Sequence, residues 1–268
     1  MGGTNRSSTT PFIMQLTIVK AGGEIVENAE YRNRFLKAFS AINGAKILVH
    51  GGGSLASKWA EKQSIASQFI NGRRVTSSEM LEVITMVYSG INKQLVAGLQ
   101  HLGIRSIGLS GADFSCIPAT KRPALPVDYG LVGDPIDGIP FPQELIALVQ
   151  SGNCLVMSPL SYNIEDGTLL NTNADTITLF LAKAFRERSS VNLIFAFGHL
   201  GVMCDLNDSS SLIESLSETE TRQLINNDVI HSGMLPKLTA GFSALKSGAT
   251  SVRITRFDQL HNGTNLII

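Results

Sequence analysis

The sequence has few cysteines and no excess of charge of either sign. Its three cysteines among 268 residues, Cys116, Cys154 and Cys204, are scattered, without a CxxC pair or histidines at metal-ligand spacing. This pattern predicts a reducing, cytoplasmic compartment and no structural zinc. Lys plus Arg and Asp plus Glu both number 22. No global charge therefore favours nucleic acid or an anionic membrane surface as a partner.

Long hydrophobic runs are also absent. No apolar run approaches the roughly 20 residues that a membrane-spanning helix needs, and residues 1–10 lack the apolar core of a signal peptide. We therefore expect no membrane partner and a disordered leader over residues 1–13. Hydrophobic residues make up 43% of the chain and charged residues 16%, which is enough for one large α/β domain or two closely joined lobes.

The glycine triplet Gly51–Gly53 organises the rest of the sequence. It follows the apolar run 45–49 and precedes a predicted helix over 54–61, so it connects a strand with a helix. Glycines lack Cβ atoms, so backbone N–H groups in this turn can approach a phosphate or a carboxylate closely. A tight turn without a ligand explains an isolated triplet about equally well. Other stretches must decide between the two.

A second strand end carries a lysine. The β-prone run 14–19 leads into Lys20, and Gly22 and Gly23 follow. Ligands of open parallel sheets bind beyond the carboxyl ends of the strands, so Lys20 is placed to meet an anion. A helix predicted over 29–41 completes a βαβ unit with two glycine-rich corners at one edge.

Asn71-Gly72 predicts a hairpin turn that presents Arg73 and Arg74. Paired arginines suit bidentate recognition of a carboxylate, although an exposed pair is commonly only solvated surface. The longest predicted helix, 78–101, is apolar on more than one side. We therefore expect the sheet and a second subunit to cover it.

Two predicted helix starts in the second half carry charged residues. Asn171 precedes a helix over 174–185 with Asp175 in its first turn, where a carboxylate also stabilises the helix dipole without any ligand. Pro236 suits the first turn of the last helix, which puts Lys237 in that turn as well. A lysine opposes the positive end of the dipole, which suggests a bound anion that offsets the cost.

The order of strands and helices predicts an α/β fold. Buried strands alternate with amphipathic helices along the chain, and strands over 251–255 and 265–268 are expected to close the sheet. The fold class is therefore an open αβα sandwich with a mainly parallel central sheet and two lobes.

These residues suit phosphoryl transfer. None of the candidate stretches offers a Ser/His or Cys/His pair for proton abstraction. Phosphoryl transfer instead needs backbone N–H groups, lysines and Mg²⁺ around the transferring group. A Walker A loop is absent, because the positions that would need Gly-Lys-Ser carry Ala56, Ser57 and Lys58. The phosphate-binding turn is therefore of another kind.

Five motifs together resemble those of the amino acid kinase family. They are, in chain order, Val19–Gly23, His50–Gly53, Asn71–Thr76, Asn171–Asp175 and Gly233–Lys237. The resemblance runs from about residue 14 to 268. It implies ATP- and Mg²⁺-dependent phosphorylation of the γ-carboxylate of N-acetyl-L-glutamate, a step of arginine biosynthesis. It also implies a homodimer, joined through the helix 78–101, without feedback by arginine.

The resemblance implies roles for single residues. Lys20 and Lys237 stabilise the transferring phosphoryl group, and Asp175 positions both lysines. The acceptor carboxylate is already ionised at neutral pH, so no general base is needed. The residues implied to bind the acylglutamate are Gly52, Gly53, Arg74 and Asn171. Those implied to bind nucleotide are Lys20, Gly22, Gly23, Gly52 and Lys237, and no residue is implied as a metal ligand.

The same resemblance divides the chain into two lobes. An N-lobe over about 14–160 binds the acylglutamate and forms the dimer, and a C-lobe over about 161–268 binds nucleotide. Two positions depart from the family pattern. Gly198 stands where an Asp usually ends the nucleotide-side strand, which predicts loose discrimination among purine nucleotides. Arg73 stands where an apolar residue usually precedes the substrate arginine.

Arg73 leaves the acyl group open. A second arginine in the acyl pocket would favour an acidic acyl group, so an N-succinylglutamate kinase is an alternative. Adjacent strand residues face opposite sides, so an Arg73 that points into water is the competing expectation.

Two other classes of function are also alternatives. The stretch Gly51-x-Gly53-x-x-Ala56 satisfies the loose pattern of dinucleotide oxidoreductases, but such an enzyme leaves Lys20, Asp175 and Lys237 without a role. A non-catalytic amino-acid-binding sensor on the same fold is suggested by Gly198. The presence of both lysines and the aspartate argues against it.

Overall fold

A computed structural model describes residues 14–227, 229–230 and 234–268. The leader 1–13 and Gly233 of the last motif lie outside the described residues. The helices in the described part are α1 (Gly23–Glu27), α2 (Ala29–Ser40), α3 (Gly53–Lys62), α4 (Ser78–His101), α5 (Gln143–Gln150), α6 (Ala174–Phe185), α7 (Glu218–Asn226) and α8 (Leu235–Lys246).

The strands of the described residues form three sheets. In chain order they are β1 (Met14–Ala21), β2 (Ala45–His50), β3 (Phe69–Ile70), β4 (Arg73–Arg74), β5 (Ser106–Leu109), β6 (Pro118–Lys121), β7 (Gly133–Pro135), β8 (Cys154–Met157), β9 (Leu160–Asn163), β10 (Leu169–Asn171), β11 (Ser189–Phe197), β12 (Ser215–Ser217), β13 (Ser251–Arg256) and β14 (Thr264–Ile267).

The central sheet has eight strands in the order β12-β14-β13-β11-β1-β2-β8-β5. All neighbours pair in parallel except β13 and β14. A smaller sheet has the order β10-β9-β6-β7, and β3 with β4 forms a hairpin. Because β1, β2 and β11 run parallel side by side, their carboxyl ends meet at one edge of the central sheet.

Apolar side chains cover both faces of this sheet. Leu16 and Ile18 of β1 pack in one core with helices α5, α6 and α8. Val19 and Ala21 of the same strand face the opposite core, which includes residues of α1, α2 and α4. The alternation follows from the two-residue period of a strand. Helices on both faces of a mainly parallel sheet make the predicted αβα sandwich, which is confirmed.

Local capping explains why the predicted helices over 78–101 and 174–185 have the expected bounds. The Ser77 side chain accepts a hydrogen bond from Met80 N at 3.2 Å at the start of α4, and Asn173 accepts one from Asp175 N at 2.7 Å at the start of α6. Both side chains satisfy N–H groups that the first helical turn leaves free. The hairpin at 71–72 is also confirmed, with positive φ angles of 49° and 74°, as an Asn-Gly turn requires.

One expectation about the sheet was wrong. The strand over 265–268 does not end the sheet, because β12 pairs in parallel on the outer side of β14. The strand β12 has three residues, Ser-Leu-Ser, so it shows too little alternation of polar and apolar residues to be recognised.

In the described part of the chain, no helix combines the length and the apolar character needed to cross a membrane.

Candidate active site

The glycine turn 51–53 lies at the carboxyl end of β2 and packs against the glycine turn that follows β1. A Cβ atom on Gly51 would lie 2.9 Å from Gly23 N, and one on Gly52 would lie 2.5 Å from Ile91 Cδ1. Gly52 also has a φ of 155°, which residues with a side chain rarely adopt. Gly51 is therefore required by the packing of the two turns, and Gly52 by its backbone conformation and its packing against α4.

A cluster of charges lies next to this turn. Lys20 Nζ forms an ion pair with Asp175 Oδ1 at 3.0 Å, and both side chains are mostly buried, at 13% and 17% exposure. Lys20 is the penultimate residue of β1, and Asp175 belongs to the first turn of α6. The structure thus brings together two predicted catalytic residues that are far apart in the sequence.

Lys237, in the first turn of α8, completes the cluster. Burial and the positive charge of Lys20 lower the pKa of Lys237, while the carboxylates of Asp175 and Glu24 oppose that change. The two ammonium groups are thus close enough to repel each other. An anionic group bound between them would relieve this repulsion, and charges in a water-poor site interact strongly.

A cavity of about 190 Å³ opens beside Lys20 and Asp175. The residues that line it come mainly from the end of β1, the glycine turn, the hairpin and the start of α6 with the residues before it. They are Lys20, Gly51, Gly52, Gly53, Phe69, Gly72, Arg73, Arg74, Tyr88, Val132, Pro159, Asn171, Thr172, Asn173, Ala174 and Asp175. All four residues predicted to bind the acylglutamate, Gly52, Gly53, Arg74 and Asn171, are among them.

Arg74 is a buried cation of this cavity. It is 6% exposed, and its guanidinium donates to Gly53 O at 2.6 Å, Ser57 Oγ at 2.8 Å and Ser67 Oγ at 3.0 Å. These acceptors are neutral, and burial lowers the pKa of Arg74. Within the described residues no ion pair neutralises this guanidinium, so the cavity favours a carboxylate ligand.

Asn171 and Arg73 line the same cavity as Arg74, one with a neutral amide and the other with a second guanidinium. Asn171 Nδ2 donates to Thr76 Oγ1 at 3.0 Å, which fixes a neutral amide at the cavity. Arg73 is half-buried. Burial and the positive charge of Arg122 lower the pKa of Arg73, whereas Asp134 and Tyr129 oppose that change. Arg73 therefore lines the same cavity as Arg74.

A second cavity, of about 640 Å³, borders the charge cluster at Lys237. Lys237 lines it together with Glu24, Phe197, His199 and several residues of 202–207. The Lys237 ammonium lies 5.4 Å from the centroid of the Phe197 ring. The charge cluster thus borders both cavities, since Lys20 and Asp175 line the smaller one. Two substrates bound in the two cavities would meet at this cluster.

Gly198 leaves space that a neighbouring carboxylate occupies. A Cβ atom on Gly198 would lie 3.2 Å from Glu24 Oε1, so the exposed Glu24 side chain reaches the position of the missing side chain. Glu24 belongs to the first turn of α1, directly after the Gly22-Gly23 turn. The sequence analysis noted the glycine but not the carboxylate beside it.

The predicted nucleotide-binding residues are only partly accounted for by the cavities. Lys20 and Gly52 line the smaller cavity and Lys237 the larger one. Gly22 and Gly23 line neither. Their turn lies against the other glycine turn, where a Cβ atom on Gly23 would lie 3.4 Å from Gly52 N. Their predicted contact with phosphates stays a prediction.

Two side chains that shape the site, Glu27 and Tyr88, escaped the sequence analysis, and a third, His50, appeared there only as part of a motif and without a role. The Glu27 carboxylate accepts hydrogen bonds from Ser54 Oγ at 2.6 Å and Leu55 N at 3.0 Å, and so caps α3. Tyr88 lines the smaller cavity, and burial raises its pKa to about 12. His50 is fully buried behind the glycine turn. The one sequence signal that could have indicated a role for these three side chains is a polar residue within an otherwise apolar stretch.

Two lysines, one shared carboxylate and two glycine turns at the carboxyl edge of an αβα sheet define a site for transfer of an anionic group between two ligands. The model of the amino acid kinase family matches residues 15–256. The chain therefore belongs to the amino acid kinase family.

Relatives and solved structures agree with this assignment. The chain is 44% identical over 255 residues to an acetylglutamate kinase of Phocaeicola vulgatus, covering 95% of this chain and 98% of that protein. The fold is similar to that of the Streptococcus mutans protein smu.665, with a TM-score of 0.76 and 23% identity over 94% of this chain and 98% of that one. Giardia lamblia carbamate kinase bound to AMP-PNP gives a TM-score of 0.66 and 13% identity over 95% and 98%. Both structures support the fold alone.

Proposed function

We propose that this chain is an acetylglutamate kinase, which transfers the γ-phosphoryl group of ATP to the γ-carboxylate of N-acetyl-L-glutamate in arginine biosynthesis. The observation that carries the proposal is the cluster of Lys20, Asp175 and Lys237, which borders both cavities. Relatives named acetylglutamate kinase that match nearly the full chain support the choice of acceptor.

The reaction needs little covalent chemistry from the protein. A γ-carboxylate oxygen of the acceptor forms a bond to the γ-phosphorus of ATP while the bond from that phosphorus to the bridging β,γ oxygen breaks, and ADP leaves. The acceptor is ionised at neutral pH, so no proton has to be removed. The negative charge of the transferring group develops between Lys20 and Lys237, and Asp175 holds the Lys20 ammonium in place at 3.0 Å.

The smaller cavity supplies the contacts for the acceptor. Arg74, with no neutralising ion pair among the described residues, binds the α-carboxylate in this proposal, and Asn171 binds next to it. Gly52 and Gly53 present backbone to the reacting carboxylate. Nucleotide binding falls to the larger cavity, with Gly22, Gly23, Lys20 and Lys237 on its phosphates. An N-lobe over 14–160 and a C-lobe over 161–268 would thus each carry most of one binding site.

Mg²⁺ is implied by the use of ATP. Among the described residues no group of three or more His, Cys, Asp or Glu side chains could hold a metal ion. Mg²⁺ bound with a nucleotide typically keeps waters and phosphate oxygens as ligands and takes one or two carboxylates. Asp175 lines the smaller cavity, and Glu24 and Asp205 are the carboxylates that line the larger one. Bound with ATP, Mg²⁺ would neutralise charge on the β- and γ-phosphate oxygens.

The direct test is release of ADP by the purified protein with ATP, Mg²⁺ and N-acetyl-L-glutamate. We expect ADP formation that depends on the acceptor and a hydroxylamine-trappable acyl phosphate as the product. ATP binding without any turnover would instead favour the non-catalytic amino-acid-binding sensor.

The same assay with GTP measures the predicted loose discrimination among purine nucleotides, and a strong preference for ATP would contradict that prediction.

N-succinyl-L-glutamate is a second candidate acceptor. The observation that favours it is the position of Arg73, which lines the same cavity as Arg74 and is half-buried. An acetyl group offers this guanidinium no charged partner, whereas a succinyl carboxylate does.

A cytoplasmic location and the absence of a nucleic-acid partner, both expected from composition, stay predictions.

We infer a homodimer in which α4 packs against the partner subunit. An apolar groove runs along α4 and is lined by Leu55, Trp59, Val83, Met86, Val87 and Ile91, among others. Met86 is 60% exposed and Trp59 is 47% exposed. Large apolar side chains that stay exposed together commonly mark a protein interface, and a second copy would cover them.

Met86→Glu is expected to convert the dimer to a monomer, because a carboxylate in an apolar interface loses its hydration without gaining a partner. Sedimentation velocity at micromolar concentration measures the mass. Ile164→Glu, at an exposed apolar residue of the β9–β10 connection, is the matched control and should leave the mass unchanged. A native protein that sediments as a monomer would contradict the inference.

A further inference from the structure

His50, the last residue of β2, forms two hydrogen bonds that fix its protonation. The residue is fully buried. Its Nδ1 lies 2.8 Å from Gly51 O, and its Nε2 lies 3.3 Å from Asn92 Nδ2. A carbonyl oxygen can only accept and an amide NH₂ can only donate. The neutral imidazole with its proton on Nδ1 satisfies both contacts, and burial lowers the pKa of His50 to about 4.

Asn92 is itself held in one orientation. It is 3% exposed, within the buried stripe of α4. Its second amide hydrogen is donated to Val156 O of β8 at 2.9 Å. A Cβ atom on Gly108 of β5 would lie 1.8 Å from Asn92 Oδ1, so the missing side chain at 108 gives the amide its space. The two strands β5 and β8 therefore fix the amide that selects the tautomer of His50.

The carbonyl that His50 holds belongs to the peptide between Gly51 and Gly52. This peptide unit is planar, so its C=O and its N–H point in opposite directions. Fixing Gly51 O against the imidazole therefore turns the Gly52 N–H away from the His50 ring, within the turn that lines the smaller cavity. Within the described residues this N–H has no hydrogen-bond acceptor. It is available to an anion.

Without such a restraint a turn of glycines is conformationally free, because each glycine has access to a wide range of φ and ψ. Packing of Gly52 against Ile91 and Tyr88 of α4 limits where the turn lies. It does not by itself set the rotation of the Gly51–Gly52 peptide plane. The hydrogen bond from His50 does.

We propose that His50, held in its Nδ1–H tautomer by Asn92, is a positioning residue for phosphoryl transfer. It sets the Gly51–Gly52 peptide so that the Gly52 N–H faces the transferring phosphoryl group before substrates bind. The role as described rests on the proposed function. A donor that is aimed in advance requires no reorganisation during the reaction, and loss of one such donor typically lowers kcat by about 10²-fold.

The test compares two substitutions of His50. His50→Leu removes the donor to Gly51 O, and we expect kcat to fall about 10²-fold with smaller changes in KM for ATP and acceptor. The amide nitrogen of an asparagine side chain can take the place of Nδ1, so His50→Asn should recover most of the lost kcat although it also removes Nε2. Asn92→Leu should lower kcat less than His50→Leu, because the bond to Gly51 O can still form.

Leu99→Ala is the control for lost packing. Leu99 is fully buried on α4, the helix that carries Asn92. It lies near the end of α4 that is remote from the glycine turn. This variant should lower the unfolding temperature at least as much as His50→Leu and leave kcat within a few-fold of native. The proposal would be overturned if Leu99→Ala lowered kcat as much as His50→Leu does. It would also be overturned if His50→Asn were no more active than His50→Leu.

A second readout does not depend on turnover. Long-range ¹H–¹⁵N correlation spectra of labelled protein show which imidazole nitrogen carries the proton, and the His50 signals are identified by their loss in His50→Asn. We expect the proton on Nδ1 at pH 7. A proton on Nε2 would refute the proposal while leaving the proposed function intact. Absence of ADP release by the native protein would refute the proposed function instead.

Discussion

Lys237→Ala and Lys20→Ala are each expected to lower kcat by about 10²-fold or more, while KM for ATP should change much less. The reason is the position of both ammonium groups around Asp175, where they face charge that develops only as the phosphoryl group transfers. An interaction that is stronger in the transition state than in the bound substrates acts on kcat. Steady-state ADP release at varied ATP and saturating acceptor measures both constants.

Lys183→Ala provides the matched control for these two variants. Lys183 lies on α6, the helix that carries Asp175, and pairs with Asp137 at 2.8 Å on the outside of the protein. Exposed ion pairs of this kind contribute about 0–1 kcal/mol to stability, so the variant should retain native kcat and KM. Near-native turnover of a folded Lys20→Ala or Lys237→Ala variant would show that the cluster does not carry the reaction.

Local sequence signals predicted the elements around the site with good accuracy. Capping residues and apolar periodicity gave α4 and α6 their observed bounds, because the interactions that end a helix lie within four residues of its terminus. The three-residue strand β12 was missed, since its pairing depends on β14, which follows it by about 50 residues in the chain. Short strands formed by distant partners leave no pattern in their own residues.

The assembly of the site followed from the resemblance rather than from local patterns. Lys20 and Asp175 form their ion pair across two elements, β1 and α6, and no spacing rule connects residues so far apart. The same is true of His50 and Asn92, which meet because α4 crosses behind the carboxyl end of β2. Motif order indicated the family, and the family implied the ion pair. It gave no indication of Tyr88 or of Glu24 beside Gly198.

Arg73 is the residue where the sequence left two expectations, and the structure favours one of them. The hairpin strand β4 has only two residues, and Arg73 and Arg74 line the same cavity although neighbours on a strand usually face opposite sides. Arg122, whose charge lowers the pKa of Arg73, is itself ion-paired with Asp134. Arg73 therefore lines the smaller cavity and lies near the Arg122–Asp134 ion pair.

N-succinyl-L-glutamate is expected to be at least as good a substrate as N-acetyl-L-glutamate, judged by kcat/KM. Its additional carboxylate would pair with Arg73, and a charge-assisted hydrogen bond contributes about 1.5–3 kcal/mol, or roughly ten- to a hundredfold in preference. Arg73→Leu should therefore lower the ratio of the succinyl to the acetyl kcat/KM by that factor. It should change kcat/KM for N-acetylglutamate only slightly, since an acetyl group has no charge for Arg73 to bind.

Arg34→Leu separates this effect from a general loss of positive charge. Arg34 lies on α2 and pairs with Asp258 outside the cavities. Its removal should therefore leave the ratio of the succinyl to the acetyl kcat/KM unchanged. Added salt should also leave this ratio unchanged for the native protein, because salt screens a pair that is shielded from solvent only weakly. If the native enzyme prefers N-acetylglutamate and Arg73→Leu does not alter the preference, Arg73 has no part in acyl recognition. The acceptor would then be N-acetylglutamate, with Arg74 as the guanidinium that binds its α-carboxylate.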